Sequence, residues 1–219
     1  MNNLPAASHS FHSAFNQCPS KAYHRYIARD TPIETSDAIK WGNKVHAALE
    51  EHLRTGALLP AAFGHYSDLY KFPLGYKRLV ELKLGIRTDG SACDFFADDV
   101  YARGVLDLVI FSSEHPDAAV MIDHKTGKVR EDASELRFHA VLLKAHRPSL
   151  RSIKGWYNWL NVCQMGNVYD LSDTEQYWAR IRMQHARILQ LLALGEPAFA
   201  PRQGPLCPWC PVVACRFHP

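Results

Sequence analysis

The chain contains no apolar run approaching the ~20 residues that a membrane helix needs, no internal repeat and no low-complexity tract. These absences exclude a helical membrane span, a solenoid and a long disordered linker. Charge of one sign is not in excess either: 25 basic side chains stand against 22 acidic ones, a formal net charge of +3. A strongly anionic protein is thereby excluded. A nucleic-acid binder stays open, because such proteins are often near neutral overall and basic in one groove. The opening Met1-Asn2-Asn3-Leu4-Pro5 lacks the basic flank and apolar stretch of a secretory signal, so a cytoplasmic location is expected. Six cysteines without an export signal do not read as a disulfide framework. No helix-turn-helix or other base-reading module is visible, so little sequence specificity is expected.

What remains is an ordinary globular composition, with 47% hydrophobic and 21% charged residues in 219. That length suits one domain. Apolar spacing predicts helices over 8–29, interrupted at Pro19, and over 38–54, ending at Gly56. The pattern then changes to alternation. Val80, Leu82, Leu84 and Ile86 mark a strand over 78–88, and Asp89-Gly90 marks a hairpin turn. Further strands are expected around Phe95-Phe96, over 103–111 and over 118–125. A helix over 132–146, an aromatic strand at 156–160 and a long helix opened by Ser172-Asp173-Thr174-Glu175 complete the core. The fold class is α/β: a central mixed sheet flanked by helices. A catalytic core over 38–195 is expected between cysteine-bearing terminal segments, 1–37 and 196–219, within a single domain.

Two carboxylates carry the chemistry. Asp107 lies within one apolar strand, and Asp123 closes the next in Asp123-His124-Lys125. Buried carboxylates are costly without a cationic partner. On adjacent strands they suit Mg²⁺ or Mn²⁺, hard ions that prefer oxygen. Lys125, two residues from Asp123, shares its face and would place an ammonium beside a reacting phosphate. The commoner role for such an Asp-x-Lys triplet is a strand-end turn. His46 follows Gly42 by one helical turn and is either a further metal ligand or a core histidine bonded to a carbonyl. Cys18 near the start and Cys207, Cys210 and Cys215 near the end form a four-thiolate set. Such a set suits a [4Fe–4S] cluster or structural Zn²⁺. Cys93 and Cys163 read as small core residues.

Taken in order, Gly42-x3-His46, Glu81, Gly104-Val-Leu-Asp107 and Asp123-His-Lys125-Thr-Gly127 resemble the PD-(D/E)XK nuclease superfamily, in its RecB-like exonuclease branch. That branch includes the nuclease domains of RecB and AddB, CRISPR-associated RecB-like exonucleases and phage exonucleases. The flanking Ser8-x-Ser10-x4-Phe15-x2-Cys18-Pro19 and Cys207-x2-Cys210-x4-Cys215 resemble its iron–sulfur members.

The resemblance implies a restriction-endonuclease-like core and metal-dependent DNA cleavage. It makes His46, Asp107, Asp123 and the backbone carbonyl of His124 metal ligands, with Glu81 a further acidic position. It makes Lys125 the catalytic lysine, and the four cysteines the ligands of a [4Fe–4S] staple. Two departures stand out. Glu135-Leu136-Arg137-Phe138-His139 replaces the branch's usual glutamine and tyrosine, and the final cysteine spacing is one residue short. Glu135 is expected near the metal, and Glu135, His139, Arg137 and Lys128 are candidate DNA contacts, although solvation is the commoner role for a basic residue such as Arg137.

Trp156, Tyr157 and Trp159 are base-stacking candidates whose commoner role is core packing. The function expected is a divalent-metal-dependent exonuclease on single-stranded DNA or DNA ends, with a helicase, CRISPR or recombination partner. The alternative is a non-catalytic DNA-binding or redox-sensing iron–sulfur protein on the same fold.

Overall fold

The computed structural model describes residues 4–32, 35–70 and 76–219. Residues 1–3, at which the export argument begins, lie outside that set. The chain forms two compact units, Thr35–Tyr177 and Met1–Glu34 with Trp178–Pro219.

The larger unit holds the sheet. Its strands are β1 (Tyr76–Ile86), β2 (Ala92–Cys93), β3 (Ala102–Ser112), β4 (Ala118–Lys125), β5 (Ser152–Trp159), β6 (Gln164–Met165) and β7 (Tyr169–Asp170). They run in the order β2-β1-β3-β4-β5-β6, and β7 pairs with β5. Only β4 and β5 are parallel among the described pairs. A parallel pair needs a crossover, and a helix over Ser134–His146 supplies it. The β1–β2 hairpin turns at Gly90, whose φ of 86° suits glycine.

A helix over Asp37–Thr55 is stopped at both ends. Ser36 accepts a bond from the Ile39 N–H at 3.2 Å, and Gly56 adopts φ 77° at the C-terminus. Numbered in chain order, α1 is His9–Gln17 and α2 is Pro19–Ala22. The Asp37–Thr55 helix is then α3, the crossover is α4, and Thr174–Leu194 is α5. Val45, Leu49 and Leu53 of α3 recur every four residues and pack with Tyr66, Tyr70, Leu108, Ile110 and Ile122. α4 lies against β1 and β3.

The β1–β3 ladder has a break that positions the site. Val80 pairs with Leu108 and Leu82 with Leu106, but Glu81 and Asp107 between them do not pair. Glu81 takes φ 51°, a left-handed conformation costing on the order of 1–3 kcal/mol. Beyond it the faces exchange. Val80 and Leu108 pack with α3, whereas a Cβ on Gly104 would lie 2.9 Å from the His139 ring of α4. Val80, Leu82, Leu84 and Ile86 therefore do not line one face, as a regular strand would require.

The smaller unit packs α1 and α2 against the later part of α5. Phe11, Phe15, Ala22, Ile188 and Phe199 form its core. Ser8 caps α1 by accepting from the Phe11 N–H. Pro19 opens α2, which continues as a wider turn over Tyr23–Ala28.

Four local expectations need correcting. Phe95 and Phe96 sit in a turn, with Phe96 exposed, because Asp94 accepts the Phe96 N–H and curls the chain. The Ser172 hydroxyl accepts from the Ile153 N–H of β5, and Asp173 accepts the Gln176 N–H at the start of α5. The aromatic strand begins at Ser152, before the tryptophans. Cys163 is exposed at φ 51°, not a core residue, whereas Cys93 is buried.

Candidate active site

α3, the β1–β3 break, the end of β4 and the first turn of α4 surround a cavity of about 1040 Å³. His46, Glu81, Asp107, Asp123, His124, Lys125 and Glu135 all line it. Gly42 allows α3 to come close, since a Cβ there would stand 3.1 Å from Thr126 Oγ1.

The residues form two linked groups. In the first, His46, Glu81 and Asp107 each offer a ligand atom, all within 4.8 Å of one another. The sequence placed Glu81 at the margin of the site; the break in the ladder brings it beside Asp107. His46 Nε2 donates to the His124 carbonyl at 3.0 Å. Its Nδ1 is 3.8 Å from Asp107 Oδ2, which also accepts the His124 N–H at 2.7 Å. His46 is thus both turned toward the acidic pair and bonded to a carbonyl, joining the two roles its spacing left open.

In the second group Lys125 Nζ lies 2.7 Å from Asp123 Oδ2 and 2.6 Å from Glu135 Oε2. It also stands 5.4 Å from the centre of the Tyr157 ring. Asp123 is outside the His46–Glu81–Asp107 group, and its buried Oδ2 makes no well-directed hydrogen bond despite the nearby ammonium.

Electrostatics follow from crowding carboxylates with little water. Burial raises the Glu81 pKa, reinforced by Asp107 and Glu50. Burial also raises that of Asp123, with Asp107 and Glu135 adding to it against the pull of Lys125. For Lys125, burial disfavours the charge, but Asp123 and Glu135 outweigh it and hold the ammonium above the ordinary lysine range. His124 is pushed down to about 4, chiefly by burial, and is neutral at neutral pH. Its Nδ1 lies 3.0 Å from the Tyr70 hydroxyl, a partner not foreseen from sequence. The partly buried group of Glu81, Asp107 and His46, with ligand atoms within 4.8 Å of one another, fits a hard divalent cation, which would relieve the repulsion between its carboxylates.

The chain matches the model of the PD-(D/E)XK nuclease superfamily over residues 6–72 and 72–215. It belongs to that superfamily. Membership implies metal-dependent phosphodiester hydrolysis, and the open mixed sheet flanked by helices is consistent with its restriction-endonuclease-like fold. The crystal structure of SSO0001 is similar in fold, with a TM-score of 0.54 at 15% identity over 95% of this chain and 85% of that one. No curated protein matches the sequence.

Other anticipated contacts of this superfamily member are placed differently. His139 is buried, with its ring against Gly104. Arg137 lays its guanidinium over Tyr177 at 4.8 Å, so it is neither freely solvated nor directed at the cavity. Lys128 is exposed in the loop after β4. Tyr157 and Trp159 are buried and Trp156 packs against the α3 core.

In the smaller unit Cys18, Cys207, Cys210 and Cys215 line one cavity of about 110 Å³. The Arg202 N–H points at Cys18 Sγ at 3.4 Å, and the Gly204 N–H at Cys207 Sγ at 3.3 Å. Among the described residues no three cysteine sulfurs lie within 4.8 Å of one another. No described helix is long and apolar enough to cross a membrane.

Proposed function

We propose that the chain is a divalent-metal-dependent DNA exonuclease acting on single-stranded DNA or DNA ends, with a structural [4Fe–4S] cluster. The observation carrying the nuclease reading is the convergence of His46, Glu81 and Asp107 beside a lysine clamped by Asp123 and Glu135. His46, Asp107, Asp123 and the His124 carbonyl would hold Mg²⁺ or Mn²⁺, with Glu81 as a further ligand. When bound, the ion would supply Lewis-acid activation of water and of the scissile phosphate.

The rest belongs to this chain's own residues. Lys125 is held protonated, so it serves as a fixed positive charge for the transition state rather than as a base. Glu135 holds that ammonium in place from α4, and is a positioning residue where the branch usually has glutamine. The His124 N–H fixes Asp107, while His46 holds the His124 carbonyl against α3.

The four sulfurs share a cavity and two of them accept backbone N–H groups, an arrangement that suits thiolate ligands. A tetrahedral zinc site with bonds of about 2.3 Å requires sulfurs about 3.8 Å apart. One distant cysteine joined to a tight group of three is the spacing that favours a multi-iron cluster over Zn²⁺ in this reading. This reading makes the chain one nuclease domain with a core over 38–195 and terminal segments tied by the cluster. It acts in the cytoplasm, alongside a helicase or a CRISPR or recombination partner.

The test is degradation of end-labelled linear single-stranded DNA by anaerobically purified protein, with Mg²⁺, Mn²⁺ and chelator in parallel and Asp107→Ala as control. Metal-dependent shortening that the variant lacks supports the exonuclease. Absence of cleavage by protein with an intact cluster would refute it.

A further inference from the structure

Trp41 lies on α3, one residue before Gly42 and five before His46. It lines the same cavity as His46, Asp107 and Lys125. The indole and the acidic group border one cavity, so a strand seated on that group would pass the indole. Trp41 is 43% exposed, an unusual placement for the largest apolar side chain at the edge of a charged cavity. Ile39, 40% exposed and lining the same cavity, extends the apolar rim.

The indole has a fixed support. The Phe63 ring packs edge-on against it, with centroids 5.3 Å apart and planes at 68°. Phe63 itself is buried in the α3 core. This contact anchors one side of Trp41 and still leaves much of the residue open. A rigid aromatic surface presented to a cavity that binds phosphodiesters is the chemistry that recognises an unstacked nucleobase.

We propose that Trp41 stacks on a base next to the scissile phosphate and thereby selects single-stranded DNA. In a duplex both faces of each internal base are covered by neighbouring pairs, so only an unpaired or terminal base can meet the indole. The selection requires no hydrogen bond to a base edge and is therefore indifferent to sequence. This inference rests on the nuclease reading, and deepens it by assigning the strand preference to one side chain.

The test uses the whole chain, purified anaerobically, as wild type, Trp41→Ala, Trp41→Leu and Trp41→Phe. Binding of a dye-labelled single strand is followed by anisotropy in chelator, where metal-dependent cleavage cannot occur. A matched duplex and single strands carrying one abasic position at successive places are run beside it. Trp41→Ala and Trp41→Leu are expected to lose about 10-fold or more on single strands, to lose little on duplex, and Trp41→Phe to keep most of the binding. One abasic position should weaken wild type and leave Trp41→Ala unaffected, because the base and the indole form one contact.

Equal losses on single strand and duplex, an abasic penalty that persists in Trp41→Ala, or Leu performing as well as Phe would overturn the proposal. So would a wild type that binds no single strand. Failure of the nuclease reading shows separately, as strands bound in chelator but not cut when Mg²⁺ or Mn²⁺ is restored.

Discussion

The two units hold their clustered ligand residues by different means. Around the cavity, Glu81 and Asp107 sit at a break in an otherwise continuous ladder, and Asp123 and Lys125 close β4, which is tied to β5 along its length. Their geometry is set by backbone bonds and an apolar core. In the terminal unit three of the four cysteines lie on a proline-rich tail made of short turns, with a smaller aromatic core nearby. The described backbone bonds within that tail are short-range turn bonds, so under the proposed function a group held by its thiolates would carry much of its order. The first unit is thus preorganised for catalysis, whereas the proposed staple would make the order of the second depend on its ligand.

The largest test of that contrast is Lys125→Ala. Its cleavage rate should fall by about 10³-fold or more while DNA binding and the visible cluster spectrum persist. A variant that failed to fold would move Lys125 from catalysis to structure. Next is Cys210→Ser, or oxidative loss of the proposed cluster in air. Either should bleach visible absorption and destabilise the terminal unit by several kcal/mol, with hydrogen exchange rising there first. Uniform exchange across both units would erase the distinction.

Acid should also separate them. His12 and His185 are buried 3.4 Å apart in the terminal unit. Burial, with His185 and His9 adding to it, lowers the His12 pKa to about 3; burial alone lowers that of His185 to about 4. Both fall below the unfolded value, so the stability they confer is complete above about pH 6.5 and is lost as pH falls toward 4. The loss is about 2 kcal/mol per histidine by pH 5. In the sheet-bearing unit the signs are mixed. His124 behaves as His185 does, whereas Asp123 and Glu81, with pKa values raised by folding, gain from protonation. Thermal unfolding followed from pH 7 to 5 should therefore weaken the terminal unit more, and His185→Gln should flatten its slope.

Smaller effects probe the packing. Gly104→Ala pushes a methyl toward the His139 ring and Leu142, and should cost about 1–3 kcal/mol of stability by chemical denaturation. Gly42→Ala meets only the Thr126 hydroxyl at 3.1 Å. Its stability should change by less than about 1 kcal/mol, since alanine favours helix. Displacing Thr126 should still slow cleavage several-fold, read as a change in kcat.

Much of the site was legible because its chemistry is local. Asp-His-Lys at the end of an apolar strand, and a histidine one turn after a glycine, state their spacing directly. Glu81 was harder to place because its role depends on a left-handed residue inside a strand, which alternation cannot reveal. His139 and Arg137 were read as DNA contacts from their place after the lysine. The fold turns one onto Gly104 and the other onto Tyr177. Trp156, Tyr157 and Trp159 drew attention as a run, yet the exposed aromatic of the cavity is Trp41, isolated in sequence and distinguished only by what α3 faces.

By itself the sequence determined the main helices and long strands, the mixed sheet and the residue types able to hold a cation, because periodicity, turn residues and carboxylate spacing act over a few residues. Tertiary structure decided which carboxylate joins His46 and Asp107, which aromatic meets the cavity, and that the four cysteines share one small space. Those outcomes depend on the exchange of faces at Glu81 and on contacts between residues distant in the chain, for which no local pattern exists.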